Sequence, residues 1–206
     1  MRKVIAATFV SLDGVMQAPG GPGEDDAGGF KFGGWTFPYF DETLGEVMGQ
    51  VFTREFDLLL GRKTYDIFAA HWPRAENTED GDIAKVFNRV TKYVATRSKS
   101  ALEWNNSVVL SDAAKDVAKL KRQDGPVLLI QGSSDLIQTL LAHGLIDEFQ
   151  VLMFPVLLGK GKRLFGEGVK PGALKLVESK TSATGVVVAN YVPDGDVKIG
   201  SFALPE

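Results

Sequence analysis

Apolar and polar positions along this chain follow two rhythms. Short apolar runs bounded by turn residues occur at Lys3–Val10, Asp57–Leu60, from Val127 to the turn at Gln131, and at Ile146–Phe154. Runs of this length fit strands covered on both faces. Between them the apolar spacing changes to i, i+3, i+4, i+7. Leu44, Val47, Met48 and Val51 mark a helix over Tyr39–Phe52. Ala113, Ala114, Val117 and Leu120 share one face of a helix over Ser111–Arg122. Leu136, Ile137, Leu140 and Leu141 form the stripe of another, which Gly144 ends. Helices are also predicted at Arg62–Ala70 and Gly81–Val90. Past residue 154 the rhythm changes again: Leu174–Lys180 and Gly185–Tyr191 read as the arms of a β-hairpin. Strand–helix alternation followed by paired strands predicts one α/β domain over 1–206, a three-layer α/β/α sandwich.

One stretch breaks the rhythm. Residues 18–34 hold seven Gly and two Pro around Glu24-Asp25-Asp26. Long loops inside compact domains are often functional, and a lid over a site is the expectation here.

Composition narrows the classes of function. With 206 residues, 44% apolar and 24% charged, the chain can bury a full core. A net charge of −3 argues against non-specific nucleic-acid binding. The absence of Cys excludes disulfides, thiolate catalysis and Cys-ligated zinc, and with only His71 and His143 no metal site is expected. No apolar run approaches the ~20 residues of a membrane span. The start of the chain reaches Ser11 and Asp13 too soon for a secretory h-region, so a cytoplasmic location is expected.

The candidate chemistry lies at three strand ends. The turn Gln131-Gly132-Ser133-Ser134 hands a strand to a helix, so the first free N–H groups of that helix face an anion site. Gly61-Arg62-Lys63-Thr64 repeats the arrangement with two cations. Thr96-Arg97-Ser98 ends a third strand with a hydroxyl, a guanidinium and a hydroxyl, which suit a phosphomonoester. Each is also an ordinary turn when taken alone. Three such ends together point to one nucleotide bearing several phosphates, outside the carboxyl ends of the strands.

GRKTY, TRS, GSSDLIQTLLAHGLIDE and PVLLGKGKRLF, in this order and spacing, resemble the dihydrofolate reductase-like superfamily. The nearest branch is the reductase domain of the bifunctional riboflavin-biosynthesis deaminase-reductases and its stand-alone homologues. The resemblance runs from Val4 to about Tyr191. It implies a mixed, mostly parallel sheet and NADPH as cofactor. It assigns Gly61, Arg62, Lys63 and Thr64 to the pyrophosphate, and Thr96, Arg97 and Ser98 to the 2′-phosphate. Gly132, Ser133 and Ser134 match the Gly-rich turn on the dinucleotide, although Gln131 stands where many relatives have Gly. A homodimer is a further expectation from the family.

Hydride transfer also needs a proton for the neighbouring atom. Asp41 is one candidate, because Trp35 and Pro38 keep the spacing of the dihydrofolate reductases while the acid falls one position later. It equally suits a helix N-cap. Asp13 is the other, and equally suits a turn. Trp35 is a candidate to stack on a heterocycle or to anchor the Gly-rich loop. Gly159, Lys160 and Gly161 open a loop whose three cations suit a substrate phosphate or simply solvent. The resemblance thus implies an NADPH-dependent reductase of a ribosylamino-pyrimidine or pterin. The alternative is a nucleotide-binding protein on the same scaffold without turnover. Whether Asp13 or Asp41 faces the cofactor cleft bears on the choice.

Overall fold

The computed structural model describes residues 1–202. One eight-stranded sheet carries β1 (Val4–Ser11), β2 (Phe56–Gly61), β3 (Lys92–Ala95), β4 (Ser107–Leu110), β5 (Val127–Gln131), β6 (Glu148–Phe154), β7 (Leu174–Thr181) and β8 (Val187–Pro193). Their order is β4-β3-β2-β5-β1-β6-β8-β7. Pairing is parallel from β4 through to β6, and antiparallel where β8 joins β6 and β7 joins β8. The sheet is therefore mixed, with the expected C-terminal hairpin folded back so that β8 lies inside and β7 forms the edge.

The period of two along the strands sorts side chains into the outer layers. Val4, Ala6 and Val10 of β1, Leu59 of β2, and Leu128 and Ile130 of β5 join one cluster. There they meet α4 (Ala113–Lys121) through Val117 and Leu120, and α5 (Ser134–Ala142) through Leu136, Ile137 and Leu140. Ile5, Leu58, Leu60 and Leu129 point the other way. They meet α2 (Arg62–His71) through Tyr65 and Phe68, and α3 (Gly81–Arg89) through Phe87. On that face α1 (Glu42–Thr53) buries Leu44 and Val47 in a cluster with Trp35, Leu152 and Phe154. Leu58, Leu59 and Leu60 are all fully buried, which explains why β2 reads as an unbroken apolar run.

Two elements differ from the expectation. β4 carries no pattern that announces it: it sits at the sheet margin, with Val108 and Val109 exposed. The first long helix begins at Glu42 instead of Tyr39, because Phe37–Tyr39 form a short 3-10 turn around Pro38. Asp41 is extended and accepts from Leu44 N at 3.0 Å, which fixes the helix start.

Candidate functional site

The carboxyl ends of β3, β2, β5 and β1 open into a cleft of about 770 Å³. Four strand spacings of ~4.8 Å separate β4 from β1, so the cleft runs about 19 Å across the sheet. All three predicted turns reach its wall: Gly61, Arg62, Lys63 and Thr64; Thr96 and Arg97; and Gly132, Ser133 and Ser134. Ser98 does not. Its hydroxyl accepts from Ser100 N (3.2 Å) and donates to Ser100 Oγ (3.1 Å), within its own turn.

Two of the turns are locked together. Gly61 N donates to Ser133 Oγ at 2.8 Å, and the Ser133 hydroxyl donates to Thr64 Oγ1 at 2.8 Å. Ser133 adopts φ +68° to do this, and Gly132 adopts φ +82° before it. A side chain at Gly61 would crowd Ser133 at 3.3 Å, so glycine eases the close approach of the two turns. Ser133 is thus a brace between turns, and Thr64 keeps its own proton for a ligand. Neither α2 nor α5 has a side-chain cap at its start, so both present free N–H groups and a positive end to the cleft.

The cations are less equal than the sequence suggests. Arg62 is held by Asp66 (2.8 and 3.1 Å) and the Ser100 carbonyl (3.1 Å). Lys63 is paired with Asp25. Arg97 is exposed and makes no hydrogen bond or ion pair among the described residues. It is the free charge at the β3 end of the cleft.

The two proposed proton donors lie off the cleft wall. Besides Leu44 N, Asp41 meets Thr184 at the turn of the β7–β8 hairpin (3.4 and 3.5 Å). The hydrogen bond from Leu44 holds its carboxyl below the ordinary value. Asp13 accepts from Ser11 Oγ (2.5 Å), Leu158 N (3.1 Å) and Gly159 N (2.8 Å). Burial works to raise its pKa, but these bonds together carry it below the ordinary value. Asp13 bolts the turn after β1 to the loop after β6, and its charge is part of the bolt.

Trp35 is buried against Phe154, and its indole N–H donates to the Gln17 carbonyl at 2.8 Å. It anchors the Gly-rich loop and does not line the cleft. Gly159, Lys160 and Gly161 are also off the wall. A side chain at Gly161 would meet Val15 at 2.5 Å, so this glycine serves packing. From that loop Lys162 reaches the cleft instead.

The sequence reading expected a lid over 18–34 but assigned no site role to the individual residues at the β1 end. Phe9, Met16, Gln17, Ala18, Pro19, Glu24 and Asp25 line it. The 18–34 segment is an ordered roof: the Gln17 amide donates to the carbonyls of Asp25 and Ala27 (2.9 Å each), and Phe30 is buried. Asp25 bridges Lys63 and Lys162. Burial opposes its charge, but the hydrogen bonds from Lys162 and Lys63 lower its pKa to about 2. The three adjacent acids Glu24-Asp25-Asp26 in a Gly-rich loop were the available signal, and nothing local to them reveals their partners.

In chemical terms the cleft offers paired N–H donors and a free guanidinium along one half, and apolar walls with a carboxyl along the other. The fold carrying it is shared with a dihydrofolate reductase from Enterococcus faecalis, solved with NADP(H). That likeness has a TM-score of 0.58 at 13% identity, over 93% of this chain and 96% of that one. A pyrimidine reductase-like protein from Corynebacterium diphtheriae matches with a TM-score of 0.58 at 14% identity, over 95% and 93%. The chain is also 30% identical over 192 residues to the uncharacterized protein YyaP of Bacillus subtilis (strain 168), covering 92% of this chain and 94% of that one. Residues 2–188 match the RibD C-terminal domain, and the protein belongs to that family on a dihydrofolate reductase-like fold.

Proposed function

We propose that the protein is an NADPH-dependent oxidoreductase that reduces a small heterocycle, of the ribosylamino-pyrimidine or pterin type, in the cytoplasm. The observation that carries this is the convergence of three strand ends on one cleft, two as uncapped helix starts and one as the unpaired Arg97. A dinucleotide with a pyrophosphate in its middle and a phosphate at one end suits that spacing of donors. Family membership and a fold shared with reductases support the same reading.

In this reading the α2 and α5 starts hold the pyrophosphate, with Thr64 donating its hydroxyl proton. Arg97 meets the 2′-phosphate. When bound, the cofactor supplies a hydride from its reduced nicotinamide, at the β1 end of the cleft. Phe9, Met16 and Pro19 flank that end, and the roof from 18 to 34 limits water there. The position of Asp13 and Asp41 off the cleft wall favours the second reading, a nucleotide-binding protein without turnover.

The test is calorimetric titration of the purified protein with NADPH and with NADH. Micromolar NADPH binding with a clear preference over NADH is expected. Arg97→Ala should weaken NADPH by roughly tenfold or more, as loss of one charge-assisted contact implies, and leave NADH unchanged. No binding of either cofactor, or equal loss for both, would overturn the assignment. Slow NADPH consumption with a pterin or pyrimidine ribotide separates the reductase from the silent binder.

A further inference from the structure

At the end of α2 away from the cleft lies a second cavity, of about 570 Å³, which shares no lining residue with the first. α2 has ten residues, so at ~1.5 Å of rise per residue this cavity lies about 15 Å from the Gly61–Thr64 turn. The last turns of α2 and α3 and the segment before β4 form its walls. One buried cation sets their geometry. Lys92, fully buried at the start of β3, donates to the carbonyls of Phe87, Asn88 and Val90 (3.0 Å each). Its charge is thus spent on the negative end of α3. The same ammonium lies 4.3 Å from the centre of the Trp104 ring and donates to Asn105 Oδ1 (3.4 Å). Asn88 is fixed in turn. Its Oδ1 accepts from Trp104 Nε1 (2.7 Å), and its amide nitrogen donates to Glu76 (2.6 Å) and to the Trp72 carbonyl (3.3 Å). Asn88, Trp104 and Asn105 are therefore held in place before any ligand arrives.

On this frame the charges are open. Arg74 and Glu103 line the cavity, are exposed, and make no hydrogen bond or ion pair among the described residues. Glu76 gives one oxygen to Asn88 and keeps the other uncommitted among those residues. Ala69, Ala70 and Pro73 add apolar surface. The wall thus offers two carboxylates, one guanidinium and an apolar strip. Its chemical complement carries two ammonium groups, one carboxylate and an aliphatic stem, which is a basic α-amino acid such as lysine. A guanidinium meets a carboxylate as a two-pronged donor, and each glutamate can take an ammonium. The stem can lie on alanine and proline while its charged ends reach the polar groups. We infer that this cavity is a binding site for a free basic amino acid, separate from the dinucleotide cleft. Its volume lies within the range of small-molecule sites and leaves room for bridging water.

The probe is L-lysine, titrated by calorimetry into the purified full chain, with and without NADPH. Saturable submillimolar binding is expected, unchanged by NADPH. L-norleucine lacks the side-chain ammonium and cadaverine lacks the carboxylate, and each should bind roughly tenfold or more weakly than lysine. Glu103→Gln and Arg74→Gln should each weaken lysine binding by a similar factor while NADPH affinity stays within about twofold. Both residues are exposed, so both variants should keep the wild-type melting temperature. No lysine binding up to about 10 mM would overturn the inference. So would equal binding by wild type and both variants, or equal binding of lysine, norleucine and cadaverine. Displacement of lysine by NADPH would also overturn it, by placing lysine in the cleft. Lysine binding through Glu103 and Arg74 stands whether or not NADPH binds, so its fate is separate from that of the reductase reading.

Discussion

Asp41 shows how one side chain can satisfy two readings of the same sequence. An acid just before a helix is either a cap or a reagent, and spacing alone does not choose. The structure gives one oxygen to Leu44 N and turns the other towards Thr184, so the cap role accounts for the group. Asp41→Ala should therefore lower the melting temperature by about 2–4 °C, the scale of a lost cap in a chain of this size. NADPH affinity should not change. A tenfold drop in NADPH consumption at unchanged melting temperature would restore the catalytic role. Ser133 illustrates the reverse. It looked like a ligand donor and is a brace, yet the brace explains why the turn needs a hydroxyl beside Gly61.

At the scale of elements, the three turns at the cleft were legible because each is local: two join a strand end to a helix start within four or five positions, and the third ends β3 in polar side chains. β1, β2, β5 and β6 were legible because burial on both faces writes an apolar run. What local pattern could not carry was partnership across the chain. Asp25 meets Lys63 at a separation of 38 residues and Lys162 at 137. Ala18, Pro19, Glu24 and Asp25 of the 18–34 segment line the cleft, but no local signal showed that Asp25 pins that segment through Lys63 and Lys162. The pin has a pH signature. The Asp25 pKa lies near 2 in the fold, below its ordinary 3.8. Its charge therefore stabilises the fold above about pH 4, and that contribution is lost as pH falls through about 2. Wild type should lose stability over this window more steeply than Asp25→Asn, by denaturant melts at successive pH values. At pH 7 Asp25→Asn should be cut sooner by protease within 18–34. Parallel acid limbs for the two proteins would show that the bridge does not hold the roof.

At the scale of the whole molecule, the sheet has two margins, β4 and β7, and β7 is the longer. Among the described residues β7 pairs with β8 alone, and every residue along it is exposed, including Leu174, Leu176 and Val177. A β-bulge lies between Leu176 and Glu178, and Lys180 is paired with Glu46 on α1 (3.0 Å). An edge of this kind, with Leu174, Leu176 and Val177 exposed and no proline along its length, is a template for another strand. A second copy of the chain fits by charge. Antiparallel pairing centred between Leu176 and Val177 sets Lys175 of each copy opposite Glu178 of the other, and the two-fold symmetry closes the assembly. The expected state is a dimer that joins two eight-stranded sheets through β7 and leaves both clefts open, since these lie at the ends of strands in the other half of the sheet. Sedimentation at micromolar concentration should show a dimer for the wild type. Val177→Lys should give a folded monomer with unchanged NADPH affinity, because the new ammonium would face apolar Leu176 of the partner copy at the symmetry centre. A wild-type monomer, or a Val177→Lys dimer, would mean that β7 is closed to partners by its own lysines and its bulge, the means by which sheet edges commonly avoid association.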